Sequence, residues 1–133
     1  MILYINTSRE NYISVFLIEE KKVKDKIVLK GDYKVSENLM NLINKIMKKN
    51  KVKFNELKGI ITVTGPGPFT SLRIAVAIVN TLAYTLKIPV AGIQIKRKKL
   101  TTPQIIKEGL LKLEKEKVGT YVSPFYDKEP NIT

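Results

Sequence analysis

The chain has 133 residues, of which 44% are apolar, and it contains neither cysteine nor histidine. This length fits one domain with its own core, and the missing side chains exclude disulfides, thiolate catalysis and histidine-ligated metal sites. The net charge of +12 favours nucleic acid or acidic protein surfaces as partners. A composition dominated by Lys, Ile and Asn, as in chains from AT-rich genomes, explains the charge equally well. We find no apolar run long enough to cross a bilayer and no signal peptide, which predicts a cytoplasmic protein without a membrane partner.

Three β-rich segments open the chain, over residues 2–8, 12–18 and 23–29. Short polar turns separate them, which predicts an antiparallel meander. A helix with Ser36 as its N-cap follows. Lys48 and Lys49 fall in its last turn, where cations suit the helix dipole.

The next three segments alternate between strand and helix. Residues 59–64 are almost continuously apolar, as in a strand inside a sheet. A helix over about 69–86 and a strand over 90–93 follow, and this order predicts a right-handed parallel crossover. The expected fold is therefore α/β, with a mixed five-stranded sheet of three antiparallel strands and two more that are reached by helical crossovers.

The character of the sequence changes after residue 94. We predict one α/β domain over 1–94, and a C-terminal part over 95–133 that consists of a basic linker, a helix and an extended tail. In this interpretation Thr102 caps the helix, Pro103 is its first residue and Gly119 lies at its end.

The most specific motif is the junction between the fourth strand and its helix, formed by Gly65, Pro66, Gly67 and Pro68. Glycine permits backbone angles that other residues avoid, while proline stiffens the connection and suits the first helical turn. Proline has no amide hydrogen, so a phosphate cradle here would lack donors. The motif therefore predicts a rigid structural turn.

Three segments resemble the motifs of the bacterial TsaB (YeaZ-type) family of tRNA threonylcarbamoyladenosine biosynthesis: residues 1–8, MILYINTS; residues 65–77, GPGPFTSLRIAVA; and residues 87–93, KIPVAGI. The resemblance covers about residues 1–94. It departs from the family pattern at Asn6, where the family has Asp, at Pro68 in place of Ser, and at Ser71 and Ala75 in place of Gly.

The resemblance implies one actin/hexokinase-like (ribonuclease-H-like, ASKHA) half, in a shortened form in which residues 95–133 are the remnant of a second lobe. TsaB-like proteins are non-catalytic members of the machinery that adds threonylcarbamoyl to the adenosine beside the anticodon of tRNA. The resemblance thus implies a scaffold without a cofactor. Its partners would be a TsaD-like catalytic paralogue, docked through helices, and a TsaE-like ATPase, with a homodimer as the other arrangement.

The predicted helix after Ser36 and the helix over about 69–86 carry more apolar side chains than one sheet face needs. The second of them has an uninterrupted apolar run over residues 74–79. We interpret the excess as a partner surface; the other interpretation is that neighbouring helices cover it. Arg73 is the only charge in its helix, and it either reaches solvent or pairs across an interface. The candidates for direct contact or its supporting core are Leu39, Ile43, Met47, Leu72, Arg73, Ile74, Val76 and Ile78.

Two other functions compete with the scaffold. The first is a basic RNA-binding module, and the cations available for a phosphate-facing patch are Lys48, Lys49, Lys51, Lys53, Arg97, Lys98 and Lys99. Of these, Lys48, Lys49, Arg97, Lys98 and Lys99 are also our candidates for weak or indirect tRNA contact within an assembly.

The second competing function is a small ATP-binding domain. Asn6 cannot supply the negative charge that positions magnesium, and Thr7 and Ser8 are expected to cap the end of the first strand. The acidic residues show no paired spacing. The sequence therefore predicts neither a metal site nor a catalytic residue.

Overall fold

A computed structural model describes residues 1–95 and 100–125. Its helices and strands follow each other in the order β1 (Ile2–Asn6), β2 (Tyr12–Glu19), β3 (Lys22–Lys30), α1 (Val35–Lys49), β4 (Gly59–Gly65), α2 (Phe69–Leu86), β5 (Val90–Gln94) and α3 (Thr102–Leu113).

The five strands form one sheet in the order β3-β2-β1-β4-β5. The pairs β1–β2 and β2–β3 are antiparallel, and the pairs β1–β4 and β4–β5 are parallel. The predicted mixed sheet is therefore confirmed. Two successive antiparallel pairings restore the direction of the chain, so β3, β4 and β5 all run in the direction of β1. Helices α1, α2 and α3 each return across the sheet from the end of one of these strands, so they end at the same end of the described fold.

The two faces of the sheet bury different helices. On one face α1 and α2 pack side by side over the residues that alternate along β1 and β2, among them Leu3, Ile5 and Val15. On the other face α3 packs over β4 and β5, with Tyr4 and Ile61 in its core. Helix α3 lies beyond residue 94 but packs on this sheet, so the hydrophobic core continues past the predicted domain boundary. The division into residues 1–94 and 95–133 remains a prediction.

Three helix boundaries differ from the sequence prediction. The N-cap of α1 is Lys34, which makes no side-chain cap, so Ser36 lies inside the first turn. Thr101 caps α3, and its side chain accepts from the backbone N–H of Gln104. Helix α3 ends at Leu113, and Gly119 lies in a later turn with a φ of +97°.

Helix α2 is long and apolar enough to cross a membrane by length and composition, contrary to the sequence expectation. The core helix of a soluble protein passes the same test. In the fold α2 is a sheet-covering helix, since Leu72, Ala75 and Val79 are buried beneath it.

The segment after α3 returns along the side of α2. Both polar atoms of the Asn80 amide bond the backbone of Val122, and the Phe125 N–H donates to the Thr64 carbonyl at 2.9 Å. The tail is thereby held beside β4 and α2.

Candidate functional site

The glycine–proline junction is packed against two other segments. Gly65 has a φ of +130°, and a Cβ there would collide with the Phe125 carbonyl. A Cβ at Gly67 would collide with the backbone of Ser8, so only glycine allows this approach. The Gly65 carbonyl accepts from the Ile95 N–H at 2.7 Å. This arrangement sets where α2 begins relative to β1.

The end of β1 is organised by a side-chain amide. Asn6 Oδ1 accepts from the Ser8 N–H at 2.9 Å and from the Ser8 hydroxyl at 2.6 Å. Asn6 Nδ2 donates to the buried hydroxyl of Tyr4 at 3.3 Å, and burial raises the pKa of Tyr4 to about 12. The amide is thus used in closing the turn after β1.

A cleft of about 550 Å³ lies where α1 and α2 begin. Helix starts favour anions because their first N–H groups point outward. The carboxylates of Glu10 and Asp32 line this cleft together with Lys34, and like charges repel a phosphate. Within residues 1–95 and 100–125, no three His, Cys, Asp or Glu side chains come together in a way that could hold a metal ion.

The outer side of α2 carries an exposed apolar surface. Ala77 is exposed, and Ile74 and Ile78 are half-buried beside α1. Met40 of α1 is half-buried against the same core. We call the set Met40, Ile74, Ala77 and Ile78 the α2 surface. These residues lie on the side of α2 away from the sheet, where solvent reaches them.

Five of the predicted contact candidates lie inside this chain's own core. Their side chains are at most 4% exposed, so they support the helices from beneath and do not reach a partner in this conformation: Leu39, Ile43, Met47, Leu72 and Val76. The sequence could not separate contact from core, because six apolar residues in a row offer no polar position to mark the outer side.

Arg73 reaches solvent and lies over an aromatic ring. Its guanidinium carbon is 5.4 Å from the ring centroid of Phe69, one turn earlier on α2. Such a cation–π contact keeps the charge beside the apolar surface while its head stays hydrated. Arg73 therefore remains available at the rim of the α2 surface.

The described lysines of the predicted basic patch differ in their surroundings. Lys49 forms an ion pair with Asp25 at 3.3 Å, and a hydrogen bond from Asn50, the Lys26 N–H and the Lys49 charge together lower the pKa of Asp25. Lys48, Lys51 and Lys53 are exposed. The other three candidates, Arg97, Lys98 and Lys99, lie outside the described residues.

Comparison with known proteins gives the following likenesses. Residues 32–108, more than half of the chain, match the family model described as "TsaD: tRNA N6-adenosine threonylcarbamoyltransferase". The chain is similar to the "tRNA threonylcarbamoyladenosine biosynthesis protein TsaB" of two strains of Buchnera aphidicola. For the protein of Buchnera aphidicola subsp. Acyrthosiphon pisum the identity is 37%, over 45% of this chain and 27% of the relative. For that of Buchnera aphidicola subsp. Schizaphis graminum it is 31%, over 70% of this chain and 43% of the relative.

Among solved structures the chain is similar to "YeaZ from Pseudomonas aeruginosa". The TM-score is 0.65 with 26% sequence identity, and the match covers 70% of this chain and 43% of that one. The chain thus spans less than half the length of these relatives.

Proposed function

We propose a scaffold role for this chain, which belongs to the family described as TsaD, tRNA N6-adenosine threonylcarbamoyltransferase, and is a TsaB-type member of it. In this role the chain takes part in threonylcarbamoyladenosine modification of tRNA without catalysing a step. It docks a TsaD-like catalytic paralogue through α1 and α2, and the complex recruits a TsaE-like ATPase in the cytoplasm.

The observation that carries the proposal is the α2 surface. Ala77 is exposed and Ile74 and Ile78 are half-exposed on a helix whose sheet-facing side is already filled. Covering exposed apolar side chains with a partner stabilises the complex by about 25 cal/mol for each Å² of apolar surface removed from water. A helix of the paralogue laid along α1 and α2 would cover this surface.

The absence of catalysis in the proposal follows from the side chains that the chain has. It contains no histidine or cysteine, so a paired-histidine metal site cannot form. Asn6 stands where an ATP-binding relative of this fold would use Asp, and its amide is already bonded to Ser8 and Tyr4. A partner must therefore supply the reactive groups.

The proposal is tested by mixing the purified chain with the TsaD-type protein of the same cell and measuring the mass of the product by light scattering. A complex of one copy of each supports the scaffold. Separate elution of the two proteins contradicts it, and a homodimer that excludes the paralogue replaces it with self-association.

A basic RNA-binding surface is the second candidate, because Lys48 in the last turn of α1 and Lys51 and Lys53 just after it are exposed. Binding through phosphates weakens steeply with salt, whereas an apolar helix interface is almost indifferent to it. The salt dependence of each measured complex therefore separates the two functions.

A further inference from the structure

We propose that a cleft between α2 and the returning tail binds an unpaired base of single-stranded nucleic acid. Its lining residues are Asn80, Thr81, Tyr84, Gly119, Thr120 and Tyr121, and its volume is about 340 Å³. We call it the tyrosine cleft. The proposal goes beyond the scaffold role and does not depend on it, since it concerns a different surface and a different ligand.

Two unusually exposed aromatic side chains form the walls of the tyrosine cleft. Tyr84 is 83% exposed and Tyr121 is 76% exposed. Tyrosine is enriched at binding interfaces because one end of its side chain is apolar and the other is polar. The face of a tyrosine ring is also the platform on which unpaired bases stack.

One amide fixes the backbone next to the two tyrosines. Asn80 lies one turn before Tyr84 on α2, and Val122 directly follows Tyr121. Asn80 Nδ2 donates to the Val122 carbonyl at 2.9 Å, and Asn80 Oδ1 accepts from the Val122 N–H at 2.9 Å. This clamp fixes the backbone of the tail beside α2, so the two tyrosines are brought near each other before a ligand arrives, which lowers the entropy cost of binding.

The hydroxyl groups around the cleft are also committed within the protein. Thr81 Oγ1 donates to the Ala77 carbonyl at 2.8 Å, and Thr120 Oγ1 donates to the Lys117 carbonyl at 2.7 Å. Each oxygen keeps its acceptor capacity toward the cleft. The polar rim can therefore accept hydrogen bonds from a base, while the rings provide the stacking surface.

Lysines lie next to the cleft walls in the folded chain. The Lys87 N–H donates to the Tyr84 carbonyl at 3.3 Å, and the Lys117 carbonyl accepts from the Thr120 N–H at 3.3 Å. Both lysines are exposed, as is Lys115. Glu114 and Glu116 share the stretch with Lys115 and Lys117, so charge there is mixed, and Lys87 adds a cation from the other wall.

Two further lysines lie at the same end of the molecule. Since α1 and α2 both end there, Lys48 in the last turn of α1 and Lys51 just after that helix are at the end where α2 reaches Lys87. Two aromatic platforms beside a positive surface are the combination with which proteins bind single strands. The positive charge favours a strand of phosphates over an uncharged or basic peptide.

The test measures binding of a short fluorescein-labelled single-stranded RNA by fluorescence anisotropy at fixed salt. Tyr84→Ala and Tyr121→Ala are each expected to weaken binding at least about fivefold, since stacking contributes that much or more per base. Tyr84→Phe and Tyr121→Phe keep the ring and are expected to bind within about twofold of the unchanged chain.

A second probe, the same RNA with abasic sites, separates base stacking from phosphate attraction. It is expected to bind more weakly and to be insensitive to Tyr84→Ala. Because both rings are largely in solvent, their removal leaves the fold intact, which circular dichroism checks. The proposal is overturned if Tyr→Ala variants bind the intact RNA as the unchanged chain does, if no RNA binding is measurable, or if they weaken only binding of the paralogue.

Discussion

Asn80 and Val122, 42 positions apart, are joined by two hydrogen bonds of 2.9 Å between one side-chain amide and one backbone unit. The Asn80 amide thereby donates one hydrogen bond to the Val122 backbone and accepts one from it, as the backbone of a neighbouring strand does. The tail beyond α3 is fixed to α2 at this point, and the tyrosine cleft depends on it.

Asn80→Ala is expected to release the tail, because the Val122 N–H and carbonyl lose both partners. The loss in unfolding free energy should be about 1–2 kcal/mol, and hydrogen exchange of the Val122 amide should rise strongly. Thr81→Ala is the matched control, since its hydroxyl bonds only its own helix. Unchanged exchange at Val122 in Asn80→Ala would show that other contacts hold the tail.

A substitution in the turn between β2 and β3 is predicted to stabilise the folded chain. Glu20 and Lys21 have φ values of +51° and +67°, the pattern of a type I′ hairpin turn, in which Asn-Gly is preferred. A left-handed conformation costs an ordinary side chain about 1 kcal/mol. Replacing the pair by Asn-Gly should therefore raise the unfolding free energy by about 1–2 kcal/mol, as measured in urea.

Asn11→Gly provides the comparison for that change. Asn11 also has a positive φ, +53°, but asparagine adopts this region more readily than glutamate or lysine. The gain there should be distinctly smaller. Equal gains at both turns would mean that the left-handed backbone is not what the Asn-Gly replacement relieves.

Asp25 is expected to make the unfolding free energy depend on pH in the acid range. The hydrogen bond from Asn50 holds its pKa below the ordinary value of 3.8. The folded chain therefore keeps the charged form more strongly than the unfolded chain does, and this contribution is complete above pH 3.8 and lost as the pH falls toward the lowered value. Urea unfolding of Asp25→Ala across that range should show a shallower acid loss than the unchanged chain; parallel pH curves would contradict the linkage.

Asn6→Asp tests the ATP-binding alternative. The substitution places a carboxylate at the position where the resembled family pattern has Asp, and Ser8 can still donate to it. We expect calorimetry with magnesium-ATP to detect no binding in either form, because Glu10 and Asp32 line the neighbouring cleft. Binding that appears in Asn6→Asp alone would mean that the fold retains a nucleotide site.

Sequence patterns predicted the sheet because each strand carries its own signal. The apolar run over residues 59–64 and the helix that follows Pro68 need no tertiary information to be recognised. The cap of α3 was placed at Thr102, one residue late, because Pro103 was taken as the first helical residue. The spacing of Thr101 and Gln104 is the sequence signature of a capping box, and it marks the cap that the structure has.

The candidate site was predicted less well, because burial is a property of the whole fold. Leu39 and Ile43 cover the sheet, and Ala77, which no pattern singled out, lies in solvent. Because the apolar run on α2 is uninterrupted, the sequence does not show which side of this helix faces the sheet. The tyrosine cleft was missed for another reason: its walls meet only through contacts between segments far apart in the chain.

The affinity of this chain for the TsaD-type protein of the same cell, measured by calorimetry with Ala77→Arg, tests the scaffold role most directly. Ala77 is exposed, so an arginine there is tolerated by the free chain but places an unpaired charge in the middle of a covered α2 surface. Leu111→Arg, on an exposed site of α3 across the sheet, is the matched control. The account predicts at least about a tenfold loss of affinity for Ala77→Arg and little change for Leu111→Arg; equal affinity of both variants and the unchanged chain would contradict it.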